Sequence, residues 1–110
     1  MDERTRRVGR NEALFRTINE EIEKLEQSSA FPQDELVVVC ECGDLLCDDR
    51  FAVPVSGYEE VRSDPSLFFV LPGHEKPDVE DVVARAGAYF VVRKHPGEPE
   101  RIAAATDPRS

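Results

Sequence analysis

The sequence predicts an α+β fold: an N-terminal helix packed on a small sheet of three or four strands, with two further short helices and one metal-clipped loop. Apolar residues recur at helical spacing over the first thirty positions, and Val-rich runs of strand length follow. All three cysteines fall within the eight residues "CECGDLLC". The 110 residues suffice for one domain, divided into a helix (1–30), a metal-binding core (31–106) and a tail (107–110).

The first thirty residues are expected to form a single long helix. An apolar stripe runs along it at heptad spacing and consists of Val8, Phe15, Ile18, Ile22 and Leu25. "QSSAFP" ends the helix, because a proline cannot continue it. The stripe either lies on the sheet or pairs with a protein partner or a second copy of the chain, and the sequence leaves both alternatives open.

Strands and short helices are expected to alternate through the core. The runs "LVVV", "FAVPV", "SLFFVL" and "AYFVV" read as strands, and Pro54 places the second at a sheet edge. "RIAAAT" is a candidate last strand. Ser56 and Glu59 form a capping-box pattern that predicts a short helix, and Asp78 is expected to cap a third helix over "VEDVVARA".

The charge balance excludes several classes of partner. The net charge is −9, and the basic residues near the N-terminus are interspersed with Asp2 and Glu3. Nucleic-acid backbones and anionic lipids both select clustered positive charge, so neither is an expected partner. No apolar run is long enough to span a membrane, and no signal-peptide pattern is present. A cytoplasmic location is therefore expected, where cysteines more often bind metal or do redox chemistry than form disulfides.

The cysteine cluster predicts a metal site. Cys40 and Cys42 alternate along a strand end and so face the same side, and Gly43 allows the chain to curl back to Cys47. Zinc in such sites takes four ligands in a tetrahedron. His74 follows the "SLFFVL" strand, and it would face the cysteines if that strand ran parallel to and beside the one preceding Cys40. The sequence thus predicts a structural Cys3His zinc site formed by Cys40, Cys42, Cys47 and His74.

Other ligand sets and other fates of the cysteines remain open. His95 is the second choice for the fourth ligand, and Asp44, Asp48, Asp49 or water are further candidates. An iron–sulfur cluster, a reversible disulfide and simple packing of the thiols are the alternatives to zinc. The spacing departs strongly from CDGSH-type clusters, in which the histidine closely follows the third cysteine.

These features favour a regulatory or protein-interaction module with a structural metal. A thiol or metal redox sensor is the alternative. A zinc metalloenzyme is less favoured, because the H-E-x-x-H and deaminase signatures are missing, as are a P-loop and a G-x-S-x-G motif. No catalytic residue is predicted.

Four segments carry a resemblance that covers nearly the whole chain: "NEALFRTINEEIEKL", "CECGDLLC", "GYEEVRSDPSLFFVLPGHEKP" and "YFVVRKHPG". They resemble an uncharacterised family of small, chiefly actinobacterial proteins with a CxCx4C loop and a PGH loop. The resemblance implies a coherent domain. It implies no ligand and no activity.

Overall fold

A computed structural model of the chain describes residues 3–109, so positions 1, 2 and 110 lie outside the described part. An α+β fold is confirmed, with one long helix, two short helices and five strands among the described residues. In chain order the elements are α1 (Glu3–Gln27), β1 (Glu35–Val39), β2 (Arg50–Pro54), α2 (Val55–Arg62), β3 (Leu67–Val70), β4 (Glu80–Arg85), β5 (Phe90–Lys94) and α3 (Glu98–Ala105).

The strands form two small antiparallel sheets rather than the one sheet that the sequence suggested. β1 pairs with β2, with Leu36 opposite Val53. The other sheet has the order β3-β5-β4, with Phe69 opposite Val91 and an irregularity in β4 between Val82 and Ala84. Every pairing among the described strands is antiparallel, and β1 and β3 belong to different sheets, so the parallel pairing considered as a way to bring His74 to the cysteines is not made.

The sequence-based prediction was wrong about the type of two elements, a helix that is a strand and a strand that is a helix. The expected helix after Asp78 is strand β4, because the segment pairs with β5, with Val82 opposite Val92. The expected strand "RIAAAT" belongs to helix α3, which begins after Gly97 at φ 101° and has Pro99 in its first turn. Helix α2 forms as predicted, but it follows Pro54 without a side-chain cap, so the capping box is not made.

The apolar core lies between the two sheets and α2. Tyr58 and Phe69 stack with ring centroids 5.7 Å apart, and both are fully buried. The remaining buried apolar side chains of this cluster are Leu36, Val38, Cys40, Cys42, Phe51, Val53, Val61, Phe68, Val70, Val91, Val92 and Ala103. Two of the three cysteines therefore sit at the margin of the core, where surrounding side chains fix their positions.

Helix α1 packs on β1 and α3 through a polar face. Its buried residues are Glu12, Arg16, Asn19, Glu20 and Glu23. Asn19 bridges to the backbone of β1, donating to the Val39 carbonyl at 2.9 Å and accepting from the Val39 N–H at 2.8 Å. Arg16 donates to the carbonyls of Pro65 and Ala103, both at 2.7 Å. Directional polar contacts, rather than the heptad stripe, hold α1 to the domain.

Two buried ionic groups lie beneath α1. Glu41 is fully buried and accepts from Arg62 at 2.7 Å, from Asn19 at 2.7 Å and from the Phe69 N–H at 3.0 Å. Lys94 is 3% exposed and lies 2.6 Å from both Glu12 and Glu80. Since an unpaired buried charge is costly, each partner in these groups depends on the others.

The C-terminal tail is held against the domain at Arg109. Its guanidinium contacts Glu20 at 2.6 Å, Glu59 at 2.7 Å and Glu23 at 3.0 Å, and so connects α1 with α2. These contacts anchor a segment that composition alone marked as a tail. Among the described residues, no helix is long and apolar enough to cross a membrane.

Replacing Glu12 by glutamine is expected to change how stability depends on pH. Burial, reinforced by the Glu80 charge and opposed by Lys94, raises the pKa of Glu12 from 4.5 to about 7. Between these values the folded state holds a proton that the unfolded state lacks. The Glu12 contribution to stability therefore falls as pH rises through this window, by about 3 kcal/mol in total. Glutamine mimics the protonated form and removes this fall.

Denaturant unfolding at pH 5 and pH 8 measures the effect. The free energy of unfolding of Glu12→Gln, taken relative to that of wild type at the same pH, should be about 2–3 kcal/mol more favourable to folding at pH 8 than at pH 5. Because the comparison is between two proteins at the same pH, other titrating groups largely cancel. The same stability difference at both pH values would contradict the prediction.

Candidate metal centre

Cys40, Cys42, Cys47 and His74 converge on one point, as the sequence predicted. Their four potential ligand atoms all lie within 4.8 Å of one another. His74 Nδ1 is 3.6 Å from the sulfurs of both Cys40 and Cys47. A tetrahedral zinc ion with ordinary bond lengths separates a sulfur and a nitrogen ligand by about 3.6 Å. The spacing of the side chains therefore fits a single tetrahedral ion.

The cysteine loop owes its shape to three local features. Beyond β1 the chain stays extended, and the Cys40 N–H donates to the Asp49 carbonyl at 2.9 Å. Gly43 turns the chain at φ 80°, where a Cβ would lie 2.9 Å from Glu12 Cγ. The Leu46 N–H donates to Asp44 Oδ1 and the Cys47 N–H to the Asp44 carbonyl, which brings the third sulfur back. A side chain at position 43 would be excluded both by φ and by contact with α1.

His74 is positioned beside the cysteines by contacts other than the strand pairing considered from the sequence. β1 and β3 belong to separate sheets, but the Glu41 N–H donates to the Phe69 carbonyl at 2.8 Å and places their ends side by side. Beyond β3, the His74 N–H donates to the Leu71 carbonyl at 2.9 Å, and Gly73 sits at φ 92°. This tight turn directs the imidazole toward the sulfurs. The predicted juxtaposition is right although the predicted strand pairing is not.

A backbone N–H also supports the sulfur of Cys40, to which the Leu71 amide donates at 3.3 Å. The Asp44 amide lowers the pKa of Cys42, and the Asp49 amide opposes the rise in the pKa of Cys47. Amide donors stabilise negative charge on an acceptor, so the backbone is arranged to support thiolates.

The three thiols differ in pKa. A hydrogen bond from Cys40 lowers the pKa of Cys42 to about 4, and the Asp44 amide and His74 contribute to the lowering. The same hydrogen bond, together with burial, raises the pKa of Cys40, and burial raises that of Cys47. The lowered pKa of Cys42 favours its thiolate form, and the negative charge of this thiolate attracts a cation. A metal ion bound by all three sulfurs displaces the remaining thiol protons.

The other candidate ligands lie outside the cluster. His95 Nε2 faces Asp81 at 3.2 Å near the end of β5. Asp44 accepts from the loop backbone, and Asp49 Oδ2 stands 3.8 Å from Cys47 Sγ without joining the group. Among residues 3–109, the group that contains the cysteines includes no carboxylate and only one histidine.

Two supporting residues had no signal in the sequence. Asn11 on α1 donates from Nδ2 to the Gly43 carbonyl at 3.0 Å, and the Lys76 ammonium donates to the Cys42 carbonyl. They fix the cysteine loop from both sides. Neither residue stands in a metal-binding motif, and both contacts bridge more than thirty residues of sequence.

Comparison of the chain with protein-family models, with curated proteins and with solved structures gave no match. The resemblance noted from the sequence stays a prediction. The site is therefore interpreted from its own geometry.

Proposed function

We propose that this chain is a small zinc-binding domain in which Cys40, Cys42, Cys47 and His74 hold one structural ion. The observation that carries the proposal is the convergence of three sulfurs and one imidazole nitrogen within 4.8 Å of one another. The Leu71 amide that donates to Cys40 Sγ supports it, because an amide donor suits a thiolate ligand.

The donor set favours zinc over the other candidates. Thiolate and imidazole ligands in a tetrahedron are typical of Zn²⁺. The close mutual approach of the four atoms suits one ion better than a multi-iron cluster, whose bridging sulfides hold the protein ligands farther apart. Four protein ligands fill the coordination of zinc, so such an ion contributes to folding rather than to a reaction.

The ion would join the two sheets. Cys40 and Cys42 continue from β1 of the two-stranded sheet, whereas His74 follows β3 of the three-stranded sheet. Hydrogen bonds between Glu41 and Phe69 and from Leu71 to Cys40 already connect these ends, and bonds through one ion would further fix their relative position. A structural role for the metal agrees with this placement.

The biological role we infer is that of a regulatory or protein-interaction module in the cytoplasm. The exposed apolar residues Leu14, Ile18 and Leu25 on α1 support an interaction role, and a reducing compartment keeps three thiols available to metal. A redox sensor is less favoured, since Cys40 and Cys42 are only 1% and 2% exposed and oxidants reach Cys47 alone with ease.

Elemental analysis of the purified protein tests the metal assignment. We expect about one zinc per wild-type chain, and loss of most of it in Cys47→Ser and in His74→Ala. His95→Ala is the matched control, because the second histidine lies outside the cluster. Full zinc retention in His74→Ala, or equal loss in His95→Ala, would move the fourth ligand away from His74.

A further inference from the structure

The polar attachment of α1 leaves an apolar surface uncovered on its outer side. Leu14, Ile18 and Leu25 are 51%, 38% and 72% exposed. Phe15 and Ile22 flank them and are half-buried. We call these five residues the outer stripe. Large side chains of this kind are rarely gathered on the free face of a helix without a partner.

The outer stripe has the geometry of a helix-pairing seam. Its residues Leu14, Ile18 and Leu25 fall in one row along α1 with positions 7, 11 and 21, because these six positions alternate at spacings of three and four. Asn11 in this row also donates to the Gly43 carbonyl. The row places Leu14 and Ile18 near the centre, with Arg7 toward one end and Glu21 and Leu25 toward the other. With 25 residues, α1 is about 37 Å long, enough for several turns of contact.

The charges on α1 select the occupant and its direction. The exposed residues of the first half are mostly basic, namely Arg4, Arg6, Arg7 and Arg10. Toward the other end, Glu21 is exposed in the row and pairs with the exposed Lys24 at 3.3 Å. Within the row itself, Arg7 toward one end and Glu21 toward the other are complementary to a reversed copy of the helix, and antiparallel helix dipoles add to this attraction.

We propose that a second copy of this chain covers the outer stripe, with the two α1 helices antiparallel. In that arrangement Leu14 of each copy meets Ile18 of the other. The Arg7 stem covers the second copy's Leu25, and the guanidinium lies within about one helical turn of the second copy's Glu21. A parallel pair would instead set Arg7 against Arg7 and Glu21 against Glu21.

A single helix pair of this kind forms a small interface. Stable interfaces bury about 800 Å² on each partner, and the outer stripe alone offers less. The net charge of −9 also opposes close approach of two copies. The dimer is therefore a reversible one whose population rises with protein concentration.

Sedimentation analysis over a concentration series tests the proposal on the full chain. Wild type should shift from monomer to dimer as concentration rises. Ile18→Glu should raise the dissociation constant by at least about tenfold, because it places a charge in the seam. Val83→Glu is the matched control: Val83 is 49% exposed but lies on β4, away from α1, and its substitution should leave the association unchanged. Circular dichroism and zinc content confirm that each variant is folded.

A charge exchange tests both the occupant and the direction. Arg7→Glu and Glu21→Arg should each weaken association about tenfold, whereas the double variant should recover to within about threefold of wild type. Recovery requires that each residue face the other on a second copy. A wild-type chain that stays monomeric at its solubility limit overturns the proposal and assigns the outer stripe to a different protein. Failure of the double variant to recover overturns the antiparallel arrangement. Neither result bears on the metal, since zinc content is measured separately.

Discussion

Replacing Cys40 by serine is expected to abolish metal binding and to destabilise the fold strongly. Cys40 is 1% exposed, contacts His74 and accepts the Leu71 N–H, so its sulfur joins the core, the cysteine loop and the PGH loop. When the free ion is at about a thousand times its dissociation constant, its binding stabilises the folded state by about 4 kcal/mol. This is a large part of the stability of a typical domain. The melting temperature should fall by about 15 °C or more.

A chelator separates the loss of metal from the loss of packing. Wild type treated with a strong chelator should approach the melting temperature of Cys40→Ser, and the variant should not respond to the same treatment. A wild-type melting temperature that is indifferent to metal removal would contradict a structural role for the ion. The experiment also shows whether the two sheets stay together without it, because a broad transition would indicate separate unfolding.

Replacing Lys94 by methionine is expected to be the most damaging change outside the cysteine cluster. Methionine fills a similar volume but leaves Glu12 and Glu80, 1% and 2% exposed, without their shared cation. Breaking a buried ion pair from one side costs about 3–5 kcal/mol. The loss of stability should be smaller at acidic pH, where Glu12, whose pKa is raised to about 7, takes up a proton. Denaturant unfolding at pH 5 and pH 8 measures both effects.

Lys24→Met provides the matched control. Lys24 is an exposed lysine whose ammonium lies 3.3 Å from Glu21, so the same substitution there removes an exposed ion pair. Exposed pairs of this type contribute less than about 0.5 kcal/mol. If Lys94→Met unfolded at the same denaturant concentration as Lys24→Met, the buried cation would not have the structural importance that its contacts indicate.

The parts of the fold with unambiguous local patterns were predictable. The long helical repeat of α1 and the Val-rich run of β1 have one reading each. "VEDVVARA" does not, because its valines satisfy the helical period while Val82 pairs with Val92 of β5, and the tertiary pairing decides. Which face of α1 packs on the domain could not be predicted from the sequence either. Its heptad stripe suggested an apolar buried face, whereas Asn19, Arg16 and Glu12 find specific partners within the domain.

The candidate site was more predictable than the fold that builds it. Cysteines at this spacing with a histidine after a strand define few possible clusters, so the four residues could be named before their route was known. The hydrogen bond to Cys40 Sγ could not be foreseen, because it comes from the backbone amide of Leu71, whose direction depends on the folded loop. Asn11 reaches the loop from α1 for the same reason.

X-ray absorption spectroscopy at the zinc edge, on protein purified without chelator, tests the central claim most directly. The account predicts one zinc per chain with three sulfur neighbours at about 2.3 Å and one nitrogen neighbour at about 2.0–2.1 Å. A metal-free protein, or a metal surrounded by oxygen and nitrogen without sulfur, would contradict it.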